Sequence, residues 1–268
     1  MSFRPLLVAA LAAGTLALAP AWAPPNTTRY RIDYKANQVV DLTPLGQTEQ
    51  KQSFGWSSFL NVTLNDSAGG RALTAVLDSV TIEPGSPMPA AAFDSVKGAR
   101  WTGWISPQGK VSGLTAVVER PGVRQAEGLL AGFYPLVGGF YPRVKRGAKV
   151  GDTWTDTLDL PRNDEAVAMT TRTVTNYSVT GTESRNGVKA LKIEAAFSVA
   201  HAGAIASPQG EVKVDGTGTG SGTYYVAPDG RFLGGSQTTN SDISAAMANL
   251  PTPLTIKDTS TLTVSILP

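Results

Sequence analysis

The chain has 268 residues, of which 41% are hydrophobic and 16% charged, with 28 glycines, 18 prolines, one histidine and no cysteine. This composition excludes Cys/His zinc sites, cysteine-held iron–sulfur clusters and thiol chemistry. The formal net charge of +2 argues against a nucleic-acid binder and against a polybasic membrane anchor. The length suits one large β domain, or two small ones, with a core that needs neither disulfide nor metal. We expect no cofactor.

The N-terminal segment Met1–Ala23 has the parts of an export signal. Arg4 precedes an apolar stretch of about 14 residues, shorter than the roughly 20 that span a bilayer as a helix, and two small-x-small cleavage sites follow. Cleavage after Ala21 is preferred, because the second site would place Pro24 directly beyond the scissile bond. The sequence predicts a cleavable signal peptide over residues 1–21, with a retained anchor as the alternative. We expect a periplasmic or secreted protein, soluble or peripheral on a membrane, with no span after cleavage.

Most of the remaining chain alternates apolar and polar residues with a period of two, which is typical of half-buried β-strands. The polar positions are rich in threonine, and one-sided burial of this kind indicates antiparallel pairing. Long twisted strands bend into a sandwich, a barrel or a half-barrel. We therefore predict an all-β fold of long antiparallel strands in a curved sheet, half-barrel or sandwich. The alternating segments are Arg29–Ala36, Phe54–Leu64, Thr153–Leu160, Leu191–Val199 and Thr261–Ile266.

Helical patterns are scarce. The segment Val123–Tyr134 has apolar residues at helical spacing and predicts one short connector helix. A weaker pattern over Ser244–Leu250 fits the end of a strand equally well.

The chain repeats one motif. Trp104–Gly113 resembles Tyr225–Gly234, which begins 121 residues later, and each has a strand, a Pro-x-Gly turn, a basic residue and a second strand. The alternative is that both are instances of a common hairpin tip. If the repeat is real, two similar β-rich halves, 22–120 and 150–268, flank a connector over 121–149 and form one continuous β body.

The connector contains a Gly-Phe-Tyr-Pro motif twice, seven residues apart. Aromatic side chains with polar tips suit an interface that is dry at one end and wet at the other. One interpretation is a lid or docking element toward a lipid or a protein partner; the other is a core plug where the connector crosses between the halves. The candidate contact residues are Phe133, Tyr134, Phe140 and Tyr141.

The connector is followed by Lys149-Val-Gly-Asp-Thr-Trp154, in which a Gly-Asp turn opens an aromatic strand. Together with Pro142 and the upstream Pro-x-Gly hairpin, this segment resembles a group of uncharacterised exported bacterial β-proteins. In outline that group is similar to the curved half-barrel of periplasmic lipoprotein carriers. The resemblance extends over most of residues 28–267, but it depends on fewer than ten specific residues. It implies the half-barrel fold and brings no catalytic residues.

A glycine-rich run, Asp215–Gly222, lacks the spacing and the following helix of a phosphate-binding loop. In a strand, its four glycines would project to one face. Glycine inside a strand marks a bend or the close approach of a bulky group. Either the strand coils tightly there, or the face lines a pocket or receives a partner. These candidate residues are Gly216, Gly218, Gly220 and Gly222.

No catalytic constellation is evident. His201 lies in a small-residue run typical of a strand end, and no Gly-x-Ser-x-Gly or Ser-x-x-Lys motif accompanies it. Carboxylate pairs such as Asp152 and Asp156, on one strand face, are the candidates for acid–base chemistry. We therefore predict a non-catalytic binding or structural subunit that docks on an envelope or membrane-associated protein. The alternatives are a periplasmic carrier of a lipid or other lipophilic small molecule and, last, a carboxylate-based hydrolase. We predict no metal site and no nucleic-acid partner.

Overall fold

The structure, a computed structural model, describes residues 27–67, 69–86, 96–107, 109–117, 137, 144, 147–163, 167–207 and 210–267. The predicted signal peptide and the predicted helix Val123–Tyr134 lie outside the described residues. The described chain forms eleven β-strands and one short 3-10 helix, Thr43–Leu45. The strands are β1 (Thr27–Asp41), β2 (Gln50–Ser67), β3 (Gly70–Ile82), β4 (Arg100–Ile105), β5 (Val111–Val117), β6 (Thr153–Asn163), β7 (Val167–Arg185), β8 (Val188–Ser207), β9 (Gly210–Val226), β10 (Phe232–Met247) and β11 (Leu254–Leu267).

All the described strands belong to one antiparallel sheet in the order β5-β4-β3-β2-β1-β11-β10-β9-β8-β7-β6. The sheet therefore consists of two meanders, β1–β5 and β6–β10, with β11 paired between β1 and β10. The weak helical pattern over Ser244–Leu250 is the end of a strand, because β10 continues to Met247. The sheet has two edge strands, β5 and β6, and does not close into a barrel.

One face of the sheet is buried and the other is solvated, as the alternation predicts. Ile32 on β1 is fully buried and pairs with Ser58 on β2 and Val264 on β11, which are also buried. Its neighbours along the strand point to the opposite face, and Arg31 is exposed. Because the side-chain period of a strand is two, this register assigns every residue of the long strands to an inner or an outer face.

The inner face is concave. Its core joins residues of both meanders, including Trp101 on β4 and Ile193 on β8, which a flat sheet would hold many strands apart. The Tyr30 hydroxyl on β1 donates to the Phe232 carbonyl on β10 at 2.8 Å, although β11 lies between these strands. The prediction of an all-β curved sheet is thus confirmed, in the form of an open half-barrel.

The two ends of the half-barrel differ. At the core end, marked by Ile32 and Ile193, many inner-face side chains are fully buried and others are partly buried and pack against them. At the other end, which we call the distal end and which is marked by Val40 and Ile205, most large apolar side chains are only partly buried, although Val167 is buried. β4 pairs only with the core-end portion of β3, so β4 and β5 do not reach the distal end.

The two hairpins that repeat in the sequence have the same geometry. A backbone hydrogen bond closes each turn. The Ser106 N–H donates to the Lys110 carbonyl at 2.9 Å, and the Ala227 N–H donates to the Arg231 carbonyl at 2.8 Å. The turn glycines both have a φ of 82°, a conformation that favours glycine. Four residues later, Gly113 and Gly234 also have positive φ, at 59° and 99°. The division into two halves stays a prediction, but the repeated motif is a repeated backbone conformation.

Candidate functional site

A series of aromatic side chains crosses the core end of the inner face. Trp154 on β6 stacks on Tyr177 on β7, with ring centroids 5.1 Å apart. The series continues to Tyr224 on β9, Phe232 on β10 and Tyr30 on β1, with successive centroids 6.5, 6.3 and 6.1 Å apart. Such pairs add about 0.5–1.5 kcal/mol each beyond the area that they bury. The series links an edge strand to the middle of the sheet and forms the floor of the concavity.

Two tyrosine hydroxyls in this floor are fixed by hydrogen bonds. Tyr30 donates to the Phe232 carbonyl, and Tyr224 donates to Gln237 Oε1 at 2.7 Å. Burial raises the pKa of both hydroxyls well above the ordinary tyrosine value. Both therefore remain neutral donors, already occupied by protein acceptors, and neither is poised for acid–base chemistry.

Toward the distal end, the inner face is apolar without being fully packed. Most of its large side chains are half-buried, whereas the core end contains a cluster of fully buried ones. Ligand sites are typically concave and lined mainly by apolar side chains. The half-buried apolar residues that the register places on this face are Val40, Phe54, Leu158, Leu160, Met169, Val199, Ile205, Val212, Ile243, Met247, Leu254 and Ile256.

The four glycines of β9 lie on this inner face, and neighbouring side chains cover them. The ring of Phe197 on β8 occupies the space that a Cβ at Gly220 would need, and the Ser241 hydroxyl on β10 does so at Gly218. A Cβ at Gly216 would lie 3.0 Å from Ile243, and one at Gly222 would lie 3.1 Å from Gln237. The row therefore makes room for cross-strand side chains. Contact of these glycines with a ligand or partner stays a prediction.

A polar row crosses the distal half of the inner face, and the sequence analysis missed it. The strand register aligns Gln52, Gln38, Asp258, Ser241 and Gly218 across five neighbouring strands. Gln52 donates to Gln38 Oε1 at 2.8 Å, and Ser241 is buried with 8% of its surface exposed. Asp258 Oδ1 is buried and has no hydrogen-bond partner in the described part of the chain. The alternation of β11 places Asp258 on the face of Leu262 and Val264, so the sequence did carry a signal for it.

The negative charge of Asp258 affects the pKa of two other inner-face side chains. Burial raises the pKa of Tyr34 on β1, and the negative charge of Asp258 raises it further. Burial lowers the pKa of His201 on β8, and the Asp258 carboxylate opposes this shift. Both side chains are therefore close enough to the carboxylate for its charge to act on them.

His201 lies within β8 and faces inward, so its assignment to a strand end is wrong. The small residues around it continue the strand, and Gly203 permits close approach to Ala168 and Met169 on β7. His201 Nδ1 and Thr171 Oγ1 are 3.0 Å apart. Burial favours the neutral imidazole. His201 is therefore a neutral, hydrogen-bonding residue of the inner face, next to the glycine row of β9.

The predicted carboxylate pair is divided by the fold. Asp152 lies in the turn before β6, where its Oδ2 accepts the Lys149 backbone N–H at 3.2 Å, and Gly151 has a φ of 95°. The predicted Gly-Asp turn is thus confirmed, and the Asp152 carboxylate stabilises it by accepting a backbone hydrogen bond within the turn. The register places Asp156 on the inner face, opposite Thr175. Within the described ranges, no group of three or more His, Asp or Glu side chains is placed to hold a metal ion.

A cleft of about 660 Å³ opens at the core end, where the two meanders approach each other. Both repeated hairpin tips line it, from opposite sides. Its walls also carry Asp66, Arg71 and Asp229, so its polarity differs from that of the distal inner face. The hairpin and apolar residues of the lining include Ile105, Pro107, Gly109, Ala227, Pro228 and Phe232.

The outer face offers no comparable apolar surface in the described part of the chain. The large hydrophobic side chains that are exposed there are Leu45, in the 3-10 helix, and Val150, in the turn before β6. They lie at opposite ends of the sheet and form no patch. Two shallow outer grooves, of about 480 and 470 Å³, are lined mainly by threonine, serine, alanine and asparagine.

No protein-family model matches this chain, and no curated protein matches it significantly. None of the described segments is an apolar helix of membrane-spanning length. The connector aromatics Phe133, Tyr134, Phe140 and Tyr141 lie outside the described residues.

Proposed function

We propose that the protein is an exported, non-catalytic carrier that binds a lipophilic small molecule on the distal inner face of its half-barrel. The observation that carries the proposal is the continuous set of partly buried apolar side chains on that face, in place of the cluster of fully buried side chains at the core end. Partly covered apolar side chains on a concave wall gain burial when an apolar ligand binds, at about 25 cal/mol per Å² removed from water. Because the sequence predicts an export signal, we expect this carrier in the periplasm or outside the cell.

The carrier is favoured over a docking subunit by where the apolar surface lies. A docking protein buries most of its apolar side chains and exposes one patch, whereas a carrier keeps an apolar concavity. Among the described residues, the exposed large hydrophobics are isolated, and a continuous set of partly buried ones lines the distal part of the concave face. Docking through the connector aromatics stays a prediction, because those residues lie outside the described part of the chain. The hydrolase alternative loses support, since Asp152 binds its own turn.

Native mass spectrometry of the protein, released from its own cell envelope without detergent, tests the proposal. We expect a mass excess that disappears on solvent extraction. Ile256→Glu places a charge on the distal inner face and should abolish that excess. Thr255→Glu is the matched control: the adjacent residue is exposed on the outer face of the same strand, so the variant should keep the excess.

Two results would count against the carrier. One is a wild-type protein without extractable mass that migrates with membrane polypeptides at fixed stoichiometry, which would favour the docking subunit. The other is equal ligand retention by the two glutamate variants, which would place any bound lipophile elsewhere on the protein.

A further inference from the structure

Asp258 is the unusual residue of the distal inner face. Its Oδ1 is buried and unpartnered in the described structure, although buried carboxylate oxygens are normally hydrogen-bonded or paired with a charge. The residues directly opposite it are Gln38 on β1 and Ser241 on β10. The Gln38 side-chain carbonyl accepts from Gln52, and neither the Gln38 amide group nor the Ser241 hydroxyl donates to Asp258 Oδ1 in the described structure. The register thus places Asp258 on the inner face of the sheet, and its Oδ1 is an acceptor without a partner among the described residues.

Among the described side chains of β1, β2 and β7–β11, no lysine or arginine in the distal half shares the inner face with this carboxylate. In the distal halves of β1, β2 and β7–β11, the register places every lysine and arginine on the outer face, and all are exposed. These residues are Lys35, Lys51, Arg172, Lys213 and Lys257. Tyr34 and His201 are the described titratable inner-face groups on which Asp258 acts, and burial favours the neutral form of both.

An unbalanced carboxylate within an apolar wall is complementary to a cation that has an apolar tail. A protonated amine supplies both the charge and the donors that Asp258 Oδ1 lacks, in a charge-assisted hydrogen bond. Gln38, Ser241 and Ser260 on the same face add neutral polar groups around the head. The surrounding half-buried aliphatic side chains then suit a hydrocarbon chain.

We propose that Asp258 is the headgroup subsite of the carrier and that its ligand is a lipophile bearing a protonated amine. This inference rests on the proposed function, because it names the ligand class of the same concavity. It assigns recognition of the head to one carboxylate on β11. The distal apolar residues bind the tail and do not discriminate between headgroups.

The test compares three probes with the same chain, dodecylammonium, dodecanol and dodecanoate, by isothermal titration calorimetry below their micelle concentrations. Wild-type protein should bind dodecylammonium most tightly and dodecanoate least. Asp258→Asn keeps the side-chain shape and removes the charge. It should weaken dodecylammonium binding by about thirty-fold, the low end for the loss of one partner of a desolvated charge pair, and leave dodecanol binding within about twofold.

Asp242→Asn is the matched control. Asp242 also neighbours Ser241 but is exposed on the outer face opposite Lys257, so the variant makes the same charge change without altering the subsite. It should bind all three probes as the wild type does. Asp258→Ser serves as a second variant should Asp258→Asn fold poorly, and it should show the same selective loss.

The outcomes separate the two proposals. If Asp258→Asn binds dodecylammonium as well as wild type does, or weakens all three probes equally, the headgroup subsite is wrong while the carrier stands. If wild-type protein binds none of the three probes, the carrier proposal fails and the subsite fails with it. A selective loss of the ammonium probe in Asp258→Asn alone supports both.

Discussion

The ring of Phe197 on β8 lies over Gly220 on β9, in the space that any larger residue at position 220 would fill. The two residues are direct partners in the strand register, and Phe197 is buried with 9% of its surface exposed. A glycine opposite an aromatic ring lets the ring lie flat against the neighbouring backbone. The glycine row of β9 is therefore part of the packing of the concave wall.

Gly220→Ala should destabilise the protein. The added Cβ would overlap the Phe197 ring and lie 2.5 Å from the Thr238 carbonyl oxygen. Overpacking of this kind typically costs about 1–3 kcal/mol. Urea unfolding followed by circular dichroism measures the loss.

Gly181→Ala is the control for that experiment. A Cβ at Gly181, in the β7 bulge, meets nothing within 4 Å, and no positive φ opposes the substitution. Its free energy of unfolding should change little or rise by a few tenths of a kcal/mol. Equal stabilities for the two alanine variants would mean that Phe197 moves aside at no cost, and the packing role of Gly220 would be lost.

Tyr30→Phe should remove the hydrogen bond that ties β1 to β10 across β11. Tyr30 is almost fully buried, so the variant leaves the Phe232 carbonyl without this donor. We expect a loss of about 1–2 kcal/mol in the free energy of unfolding. Tyr225→Phe, on the outer face beneath the Arg185 guanidinium, should change it by less than about 0.5 kcal/mol. A Tyr30→Phe variant as stable as Tyr225→Phe would show that this hydrogen bond does not stabilise the curved sheet.

The same variant should change the response to alkali. The pKa of Tyr30 is raised by burial above its unfolded value of about 10. Its contribution to stability is therefore complete below pH 10 and is lost as the pH rises above that value, because the unfolded state ionises first. Tyr30→Phe should show a shallower alkaline decline than wild type in unfolding midpoints measured from pH 9 to pH 11. An unchanged slope would assign the decline to other groups, among them Tyr224.

Asp152→Ala should weaken the turn that opens β6. The carboxylate accepts the Lys149 backbone N–H at 3.2 Å in an exposed turn, so the expected loss is about 0.5–1.5 kcal/mol. Asp152→Asn keeps an oxygen acceptor and should retain most of the wild-type stability. Thermal unfolding of the two variants side by side makes the comparison. A large loss in both variants would mean that the negative charge, and not the acceptor, stabilises the turn.

The alternation of residues predicted the strands well, because the period of a strand is local. The apolar row of Leu191–Val199 lies on the inner face of β8, and the row of Phe54–Leu64 lies on that of β2. The same parity places Asp258 inside. That Asp258 lacks a basic partner is not a local property, because it depends on which side chains the neighbouring strands β1 and β10 place beside it.

What covers the glycine row could not be predicted from the sequence. Whether Phe197 meets Gly220 or a neighbour depends on the register between β8 and β9, and a slip of one residue would turn every side chain to the other face. The small residues around His201 predict a strand end, because glycine usually marks the end of a strand. Here they continue β8, since Gly203 lets the backbone of β7 approach closely.

His201 should make the protein sensitive to mild acid. Burial lowers its pKa in the folded state below the ordinary value of 6.5. The unfolded chain therefore binds the proton first, so the contribution of His201 to stability is complete above pH 6.5 and is lost as the pH falls below it. His201→Asn keeps a polar group near Thr171 and cannot titrate. Unfolding free energies measured between pH 7.5 and pH 5 should fall less steeply in His201→Asn than in wild type, and parallel curves would show that the imidazole is not held neutral by the fold.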